Sequence, residues 1–410
     1  MSGSRASDGQ TDTHPVMAAA LELRPRLVQW RRHLHQYPEP SMEEYETAAY
    51  VVEQLQKMGL DEIKTGVGKT GVTCLIRGAE GHKTVGLRAD MDALDLEEKT
   101  GAEYASKKPG LMHACGHDAH VACLLGAASI LADMREQMSG NVKLIFQPGE
   151  EGFHGALQMI RDGCLESPKV SAVFGLHVSV GMPSATIGIR RGTSHAQTDD
   201  VEITVHGKSA HAASPHGGVD AISVAAQVLI AVQQFIARHT HNLHQRLVTF
   251  GMIEGGTRRN ILANSVTLRG TMRNLNLETR ETLLKFLQKD LRKIAGAMGA
   301  RLTVRITEGY PPLVNDDRMV DIAEQAARTV LGDERVRPVL DPGLGGEDFS
   351  YFGTEGKLPI AFVRLGIGDE SEGVEAPVHT QTFDFDDGKA LPTGAAFMAQ
   401  VALQALGARK

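Results

Sequence analysis

The sequence predicts an α/β protein of two domains, one inserted into the other. Strand-like runs alternate with helical periods at both ends of the chain, the signature of a layered fold around a largely buried sheet. The middle carries a self-contained β-α-β-β-α-β order, the ferredoxin-like motif. At 410 residues the chain has length for two or three domains, at roughly 100–200 residues each. The expected division places the first domain over residues 17–192 and 309–410 and the inserted one over 193–308. A Ser-, Asp-, Thr- and Gly-rich tail over 1–16 has the composition of a disordered segment, with no apolar run to serve as a signal sequence.

In chain order, Ser41 and Glu44 read as a capping box ahead of an amphipathic helix that Gly59 closes. Strands are expected at 71–76 and 84–89, followed by a long irregular segment. A helix over 119–138, a strand over 142–146, a short helix over 155–162 and a strand over 173–176 complete the first part. The inserted domain reads as a strand at 201–205, a helix at 219–237, strands at 246–253 and 265–272, a helix at 278–298 and a strand at 301–307. Its first helix places Ile222, Ala225, Val228, Val232 and Phe235 on one face at the 3.6-residue period. The chain returns with a helix at 317–331, a strand at 360–365 and a closing helix over 391–406.

Composition narrows the function. Hydrophobic residues at 42% and charged ones at 23% are an ordinary globular balance. A net charge of −7 leaves no cationic field for nucleic acid, and the pairs Arg31-Arg32, Arg190-Arg191 and Arg258-Arg259 read as solvated or locally paired. Four irregularly spaced cysteines, Cys74, Cys115, Cys123 and Cys164, suit reduced thiols in a cytoplasmic protein. The weakly polar run from Val121 to Ala132 falls short of the ~20 apolar residues of a membrane span. The expectation is a soluble protein that engages neither membrane nor nucleic acid.

Polar clusters fall at strand ends. Arg88-Ala-Asp-Met-Asp92 follows one predicted strand, Glu150-Glu151 another, His177 ends a third, and Cys115-Gly-His-Asp118 precedes a helix. In open α/β sheets that carboxyl edge is where ligand sites assemble. Cys115, His117, Glu151 and His177 offer thiolate, imidazole and carboxylate, the donors that zinc and its neighbours favour. His379 could return from the C-terminal segment as a fifth donor. Five exceed one tetrahedral ion, which points to two. Successive residues of an extended segment point to opposite sides, so one of the two glutamates can ligate while the other moves a proton. Each element alone has a plainer reading. An isolated buried cysteine is a small core residue roughly nine times in ten, an adjacent Glu pair is usually surface charge, and a lone histidine is more often a satisfied core residue than a ligand. Their coincidence on one edge favours a metal site.

The same segments resemble a known family, the aminoacylase, hippurate hydrolase and auxin-conjugate hydrolase branch of the co-catalytic metallopeptidases. The resemblance rests on Trp30-RRHLHQYPEPSMEE, Arg88-ADMDAL, Met112-HACGHDAH, Phe146-QPGEEG, Gly175-LHV, Gly207-KSAHAASPHGGVDA, Gly255-GTRRNILAN, Gly346-EDFS and Pro377-VHTQTFDFDD. It implies a mixed-sheet metallopeptidase-like catalytic domain whose insertion is a lid and dimerisation domain. It implies that Cys115, His117, Glu151, His177 and His379 hold a divalent metal, two ions per subunit, zinc or manganese with cobalt or nickel as alternatives. Glu150 would be the general base and then acid. His211 would stabilise the oxyanion in the partner subunit's site, and Asn260, with Arg259 beside it, would hold substrate. Where the wider superfamily has His-x-Asp, this chain has Asp90-Met-Asp92, the form of the amidohydrolase branch. Asp92 is then expected to orient the site, Asp90 to be structural, and Glu347 to lie near the site or cap a helix. The implied reaction is hydrolysis of N-acyl amino acids by a homodimer. The alternatives are a dipeptidase or carboxypeptidase with the same metals, a cysteine hydrolase using Cys115, and a non-catalytic binding protein, which would have no use for Glu150.

Overall fold

A computed structural model describes residues 13–407, so the expected tail lies outside the described residues over 1–12. Its end does not belong to a tail, because Pro15 and Val16 open a helix and Val16 is buried. The helices are α1 (Pro15–Glu22), α2 (Arg24–Gln36), α3 (Tyr45–Lys57), α4 (His117–Asp133), α5 (Gly155–Arg161), α6 (Ala221–His239), α7 (Leu277–Lys285), α8 (Leu291–Ala297), α9 (Asp317–Leu331), α10 (Ser350–Thr354) and α11 (Asp387–Leu406). The strands are β1 (Ile63–Val67), β2 (Gly71–Arg77), β3 (Thr84–Asp90), β4 (Asn141–Gln147), β5 (Val173–Ser179), β6 (Ile187–Ile189), β7 (Gly192–His195), β8 (Gln197–His206), β9 (Arg246–Gly255), β10 (Ser265–Asn274), β11 (Arg301–Glu308), β12 (Leu313–Asn315), β13 (Val336–Pro338) and β14 (Ile360–Gly366).

The described chain divides into two compact units, residues 13–192 with 315–340 and 351–407, and residues 193–314 with 341–350. The first unit holds a mixed eight-stranded sheet in the order β1-β2-β4-β3-β5-β14-β6-β13. Strands β4, β3, β5 and β14 run parallel to one another, so their carboxyl ends lie on one edge. Strands β3 and β4 are buried at every position, as strands covered on both faces must be. Helices α4 and α11 are buried along nearly their whole length. They approach closely at glycine, since a Cβ on Gly126 would stand 2.7 Å from that of Ala395, and one on Gly394 would stand 2.4 Å from the Cys123 sulfur. Only a residue without a side chain fits there.

The second unit is a four-stranded antiparallel sheet in the order β11-β8-β10-β9, with α6, α7 and α8 supplying its core partners Val224, Val228, Leu283 and Leu291. The element order β8-α6-β9-β10-α7/α8-β11 follows directly. The expected single helix at 278–298 is interrupted by a π-helical turn at Phe286–Asp290, where Phe286 stacks on Phe235 at 3.8 Å. Helix α6 is 19 residues long and, among the described residues, long and apolar enough by composition to cross a membrane, unlike the shorter run from Val121 to Ala132. It packs Val224, Val228 and Val232 into the core of its own sheet, which is how an amphipathic surface helix behaves. Ile222 departs from the expected face and is exposed.

Two local expectations fail for one physical reason, a polar side chain that took a tertiary partner instead of the local one, and a third, the start of α4, fails for a backbone reason. No capping box forms at α3. Glu44 accepts from the amides of Met42 and Gly149 and from Thr70, while Ser41 donates to Asp92 at 2.6 Å. Arg31 is not solvated but completely buried. Helix α4 begins two residues earlier than expected and ends at Asp133; its N-terminus is set by the left-handed Gly116.

Candidate metal centre

Strand β3 leads into Asp92, strand β4 into Glu150 and Glu151, and strand β5 carries His177 two residues before its carboxyl end at Ser179. The turn into α4 brings Cys115, just ahead of the helix, and His117, its first residue, to the same edge, and His379 arrives from the segment before α11. The Cys115 sulfur lies 3.3 Å from His177 Nε2 and 3.2 Å from His379 Nε2. His379 Nε2 is 3.1 Å from a carboxylate oxygen of Glu151. The ligand atoms of His117, Glu150 and Glu151 all fall within 4.8 Å of one another. The structure therefore gathers Cys115, His117, Glu150, Glu151, His177 and His379 into one cluster. His379 holds a left-handed φ of 63°, uncommon for a non-glycine residue, with its amide on the Ala114 carbonyl at 2.7 Å.

The two glutamates do not point apart. They sit in a turn rather than an extended segment, with the Gly152 amide on the Glu150 carbonyl at 2.8 Å, so both carboxylates face the cluster. Asp92 lies one layer behind. One carboxylate oxygen stands 3.2 Å from His117 Nδ1 and the other accepts from the Glu151 amide at 2.9 Å. It thus contacts two neighbours of the cluster at once. Burial pushes its pKa up, but the His117 and Ser41 contacts and the Glu151 amide outweigh that and hold it below the usual range.

His120 was not foreseen, although three residues beyond His117 it shares a helical face. Its Nδ1 is 2.6 Å from Asp90 and its Nε2 accepts from the Val178 amide at 2.9 Å. Asp90 is also bound by Arg88 at 2.7 Å, and Arg88 by Gln147. Asp90, His117 and His120 make a triad with metal-like spacing, but both nitrogens of His120 are taken, so it cannot ligate. The network instead braces β3, β4, α4 and β5 beneath the cluster.

The donors fit a divalent cation. Among the described residues the buried Nε2 of His117 has no hydrogen-bond partner, its nearest carboxylate oxygen being that of Asp90 at 3.6 Å, while its Nδ1 is held by the Asp92 carbonyl at 2.9 Å, the orientation a metal-ligating histidine needs. His177 is fixed likewise, through Nδ1 on the Val178 carbonyl at 2.7 Å. Burial pushes the Cys115 thiol up against the pull of His117 and His379, and hydrogen bonds to Cys115 and Glu151 raise His379 to about 10. A bound cation would take the place of protons shared between these donors.

In the second unit His211, Arg259 and Asn260 are all exposed. His211 Nδ1 accepts from the Ala213 amide at 3.1 Å, and the Ala212 amide bonds the Asn260 carbonyl at 3.1 Å, so the two loops are paired. Glu347 accepts from the Phe349 amide at 2.9 Å, just ahead of α10.

The profile of peptidase family M20/M25/M40 matches residues 86–404. The chain belongs to that family. An N-acetyl-L-cysteine deacetylase of Bacillus subtilis is 38% identical over 363 residues, covering 88% of this chain and 84% of its own. An IAA-amino acid hydrolase (ILR1-like 2) of Arabidopsis thaliana is 36% identical over 405 residues, covering 96% and 90%. A thermostable carboxypeptidase of Saccharolobus solfataricus is 38% identical over 370 residues, covering 89% and 92%. Among solved structures, a dinuclear metal-binding M20 peptidase from Bacillus subtilis superposes with a TM-score of 0.81 at 30% identity, covering 95% of this chain and 99% of its own. This M20 chain is a metal-dependent amidohydrolase, on the aminoacylase-like branch that the motifs indicated.

Proposed function

We propose that the enzyme hydrolyses the amide bond of N-acyl amino acids to a carboxylic acid and a free amino acid. The observation that carries the reading is the convergence of Glu150, a buried carboxylate, on the His117–Glu151 cluster. Cys115, His117, Glu151, His177 and His379 would hold two divalent ions, zinc or manganese, with cobalt or nickel as alternatives. When bound, they supply Lewis acidity and lower the pKa of water. Glu150 takes the proton of the attacking water at its carboxylate and hands it to the leaving amine nitrogen. Asp92 keeps His117 turned toward the site.

The second unit is read as a ferredoxin-like lid and dimerisation domain over 193–308, on a catalytic domain over 17–192 and 309–410. Its edge strand β9 exposes Met252 and Ile253, and α6 exposes Ile222 and Ile230, apolar surface suited to a second copy. In the dimer His211 donates to the partner site's oxyanion, and Asn260 and Arg259 hold the substrate. The four cysteines are all unpaired thiols, which supports a cytoplasmic setting.

Metal analysis of the purified protein followed by a screen of N-acetyl, N-benzoyl and N-indoleacetyl amino acids tests the reading. Turnover of these and not of free-amine dipeptides is expected. The reverse preference would favour the peptidase alternative, for which the carboxypeptidase relative speaks. A chelator that left activity intact, with thiol alkylation abolishing it, would point to Cys115 as nucleophile.

A further inference from the structure

The Trp30-Arg31-Arg32-His33-Leu34-His35 stretch of α2 carries no part of the chemistry above, yet Arg31 is among the largest fully buried side chains. Its Nε donates to Asp118 at 2.9 Å, its Nη2 to Asp384 at 3.1 Å, and its Nη1 reaches Asp387 at 3.5 Å. The guanidinium carbon stands 4.6 Å from the Phe385 ring and 5.1 Å from that of Tyr104. Asp118 follows His117 in the first turn of α4, and Asp384 and Asp387 follow His379 at the entry to α11. One cation thus joins the two segments that deliver opposite sides of the cluster.

We propose that Arg31 is a positioning residue for the metal centre: its guanidinium locks the His117 turn to the His379 segment and sets the span across the site. The inference rests on reading those histidines as ligands. Only a planar fork with five donors reaches three carboxylates in different directions; a lysine in the same place has one point of charge. The surrounding contacts keep each carboxylate aimed. Asp118 also takes His35 at 2.7 Å, Asp384 takes the Tyr104 hydroxyl at 2.8 Å, and Asp387 takes Arg32 at 2.8 and 3.2 Å. Arg32 differs from its neighbour in what it touches: its side chain is 42% exposed and it holds Asp387 alone among these three carboxylates.

The test compares Arg31→Lys with Arg32→Ala by two measurements on the whole protein, thermal unfolding and zinc affinity in competition with a chromogenic chelator. Arg31→Lys should weaken zinc binding by about tenfold or more, the usual size of an outer-shell loss, and speed alkylation of Cys115 in the zinc-loaded protein. Arg32→Ala should lower the melting temperature while zinc affinity stays within about twofold of wild type, since it leaves both ligand segments clamped. Zinc affinity of Arg31→Lys within about twofold of wild type overturns the proposal, as does an equal loss in Arg32→Ala, which would make the effect one of stability alone. Should Arg31→Lys not fold, Asp384→Asn decides, its carboxylate being 29% exposed: weakened zinc binding supports the clamp and unchanged binding overturns it. Wild-type protein that takes up no zinc, measured first, overturns the metal-centre reading and this one with it.

Discussion

One peptide bond separates Glu150 from Glu151, and the two are assigned different work. Replacing Glu150 by Gln should leave metal content near normal while turnover falls by about 10²–10⁴, the range of general acid–base catalysis. Glu151→Gln should instead deplete the metal. Metal loss following Glu150 rather than Glu151, read by elemental analysis, would reverse the assignment. Cys115 offers an independent check. Its thiol is 7% exposed and flanked by His177 and His379, so ligation should shield it from alkylation while metal is present and release it on chelation. Equal labelling in both states, followed by peptide mass analysis, would count against it. At this scale residue type is informative, because thiolate, imidazole and carboxylate are the donors that a borderline cation selects. The buried Arg31 shows the limit. Its partners Asp384 and Asp387 lie more than three hundred positions away in the chain, and no local pattern distinguishes it from a surface arginine.

The helix start at Gly116 is the element on which the cluster turns. Gly116 takes a φ of 81°, and a Cβ there would stand 2.5 Å from a methyl of Val178. Gly116→Ala should therefore destabilise the fold by roughly 1–2 kcal/mol for the left-handed backbone alone, with the clash against β5 adding to it. Because Cys115 and His117 flank this residue, the folded fraction should also bind metal more weakly. A variant with wild-type melting temperature and wild-type zinc affinity would show that the turn tolerates a side chain. The strands were legible because β3, β4 and β5 are apolar runs that end in polar clusters, and burial on both faces forces that pattern. Helix starts were less so. At α3 and α4 the polar residues near the N-terminus serve the site: Ser41 binds Asp92, and the donors Cys115 and His117 flank Gly116.

At the scale of the whole molecule, the decisive question is whether a site is complete in one chain. If His211 serves the partner, mixing Glu150→Gln with His211→Ala under subunit exchange creates one site per mixed dimer with both groups intact. Activity should return towards roughly half the wild-type value per mixed dimer, given that losing an oxyanion donor typically costs ~10²–10³. Native mass measurement of differently tagged subunits establishes exchange. Mixed dimers without activity would confine His211 to its own chain, and an active monomer would end the cross-subunit reading. Chelation should also lower the melting temperature, since an ion that binds only the folded state stabilises it by mass action.

The alternation of strands and helices, the β-α-β-β-α-β order of the middle and the donor types at the strand ends were written in the sequence, because periodicity and residue chemistry are local properties. The family followed from the same segments. Which donors stand together was decided only by the fold. It turned both Glu150 and Glu151 toward one cluster, occupied both nitrogens of His120 so that a metal-like triad became a brace, and buried Arg31 among three carboxylates. The physical reason is common to all three. A polar atom taken out of water must be satisfied by whatever the packing brings within about 3 Å, and that partner is set by the crossing of strands and helices far apart in the chain.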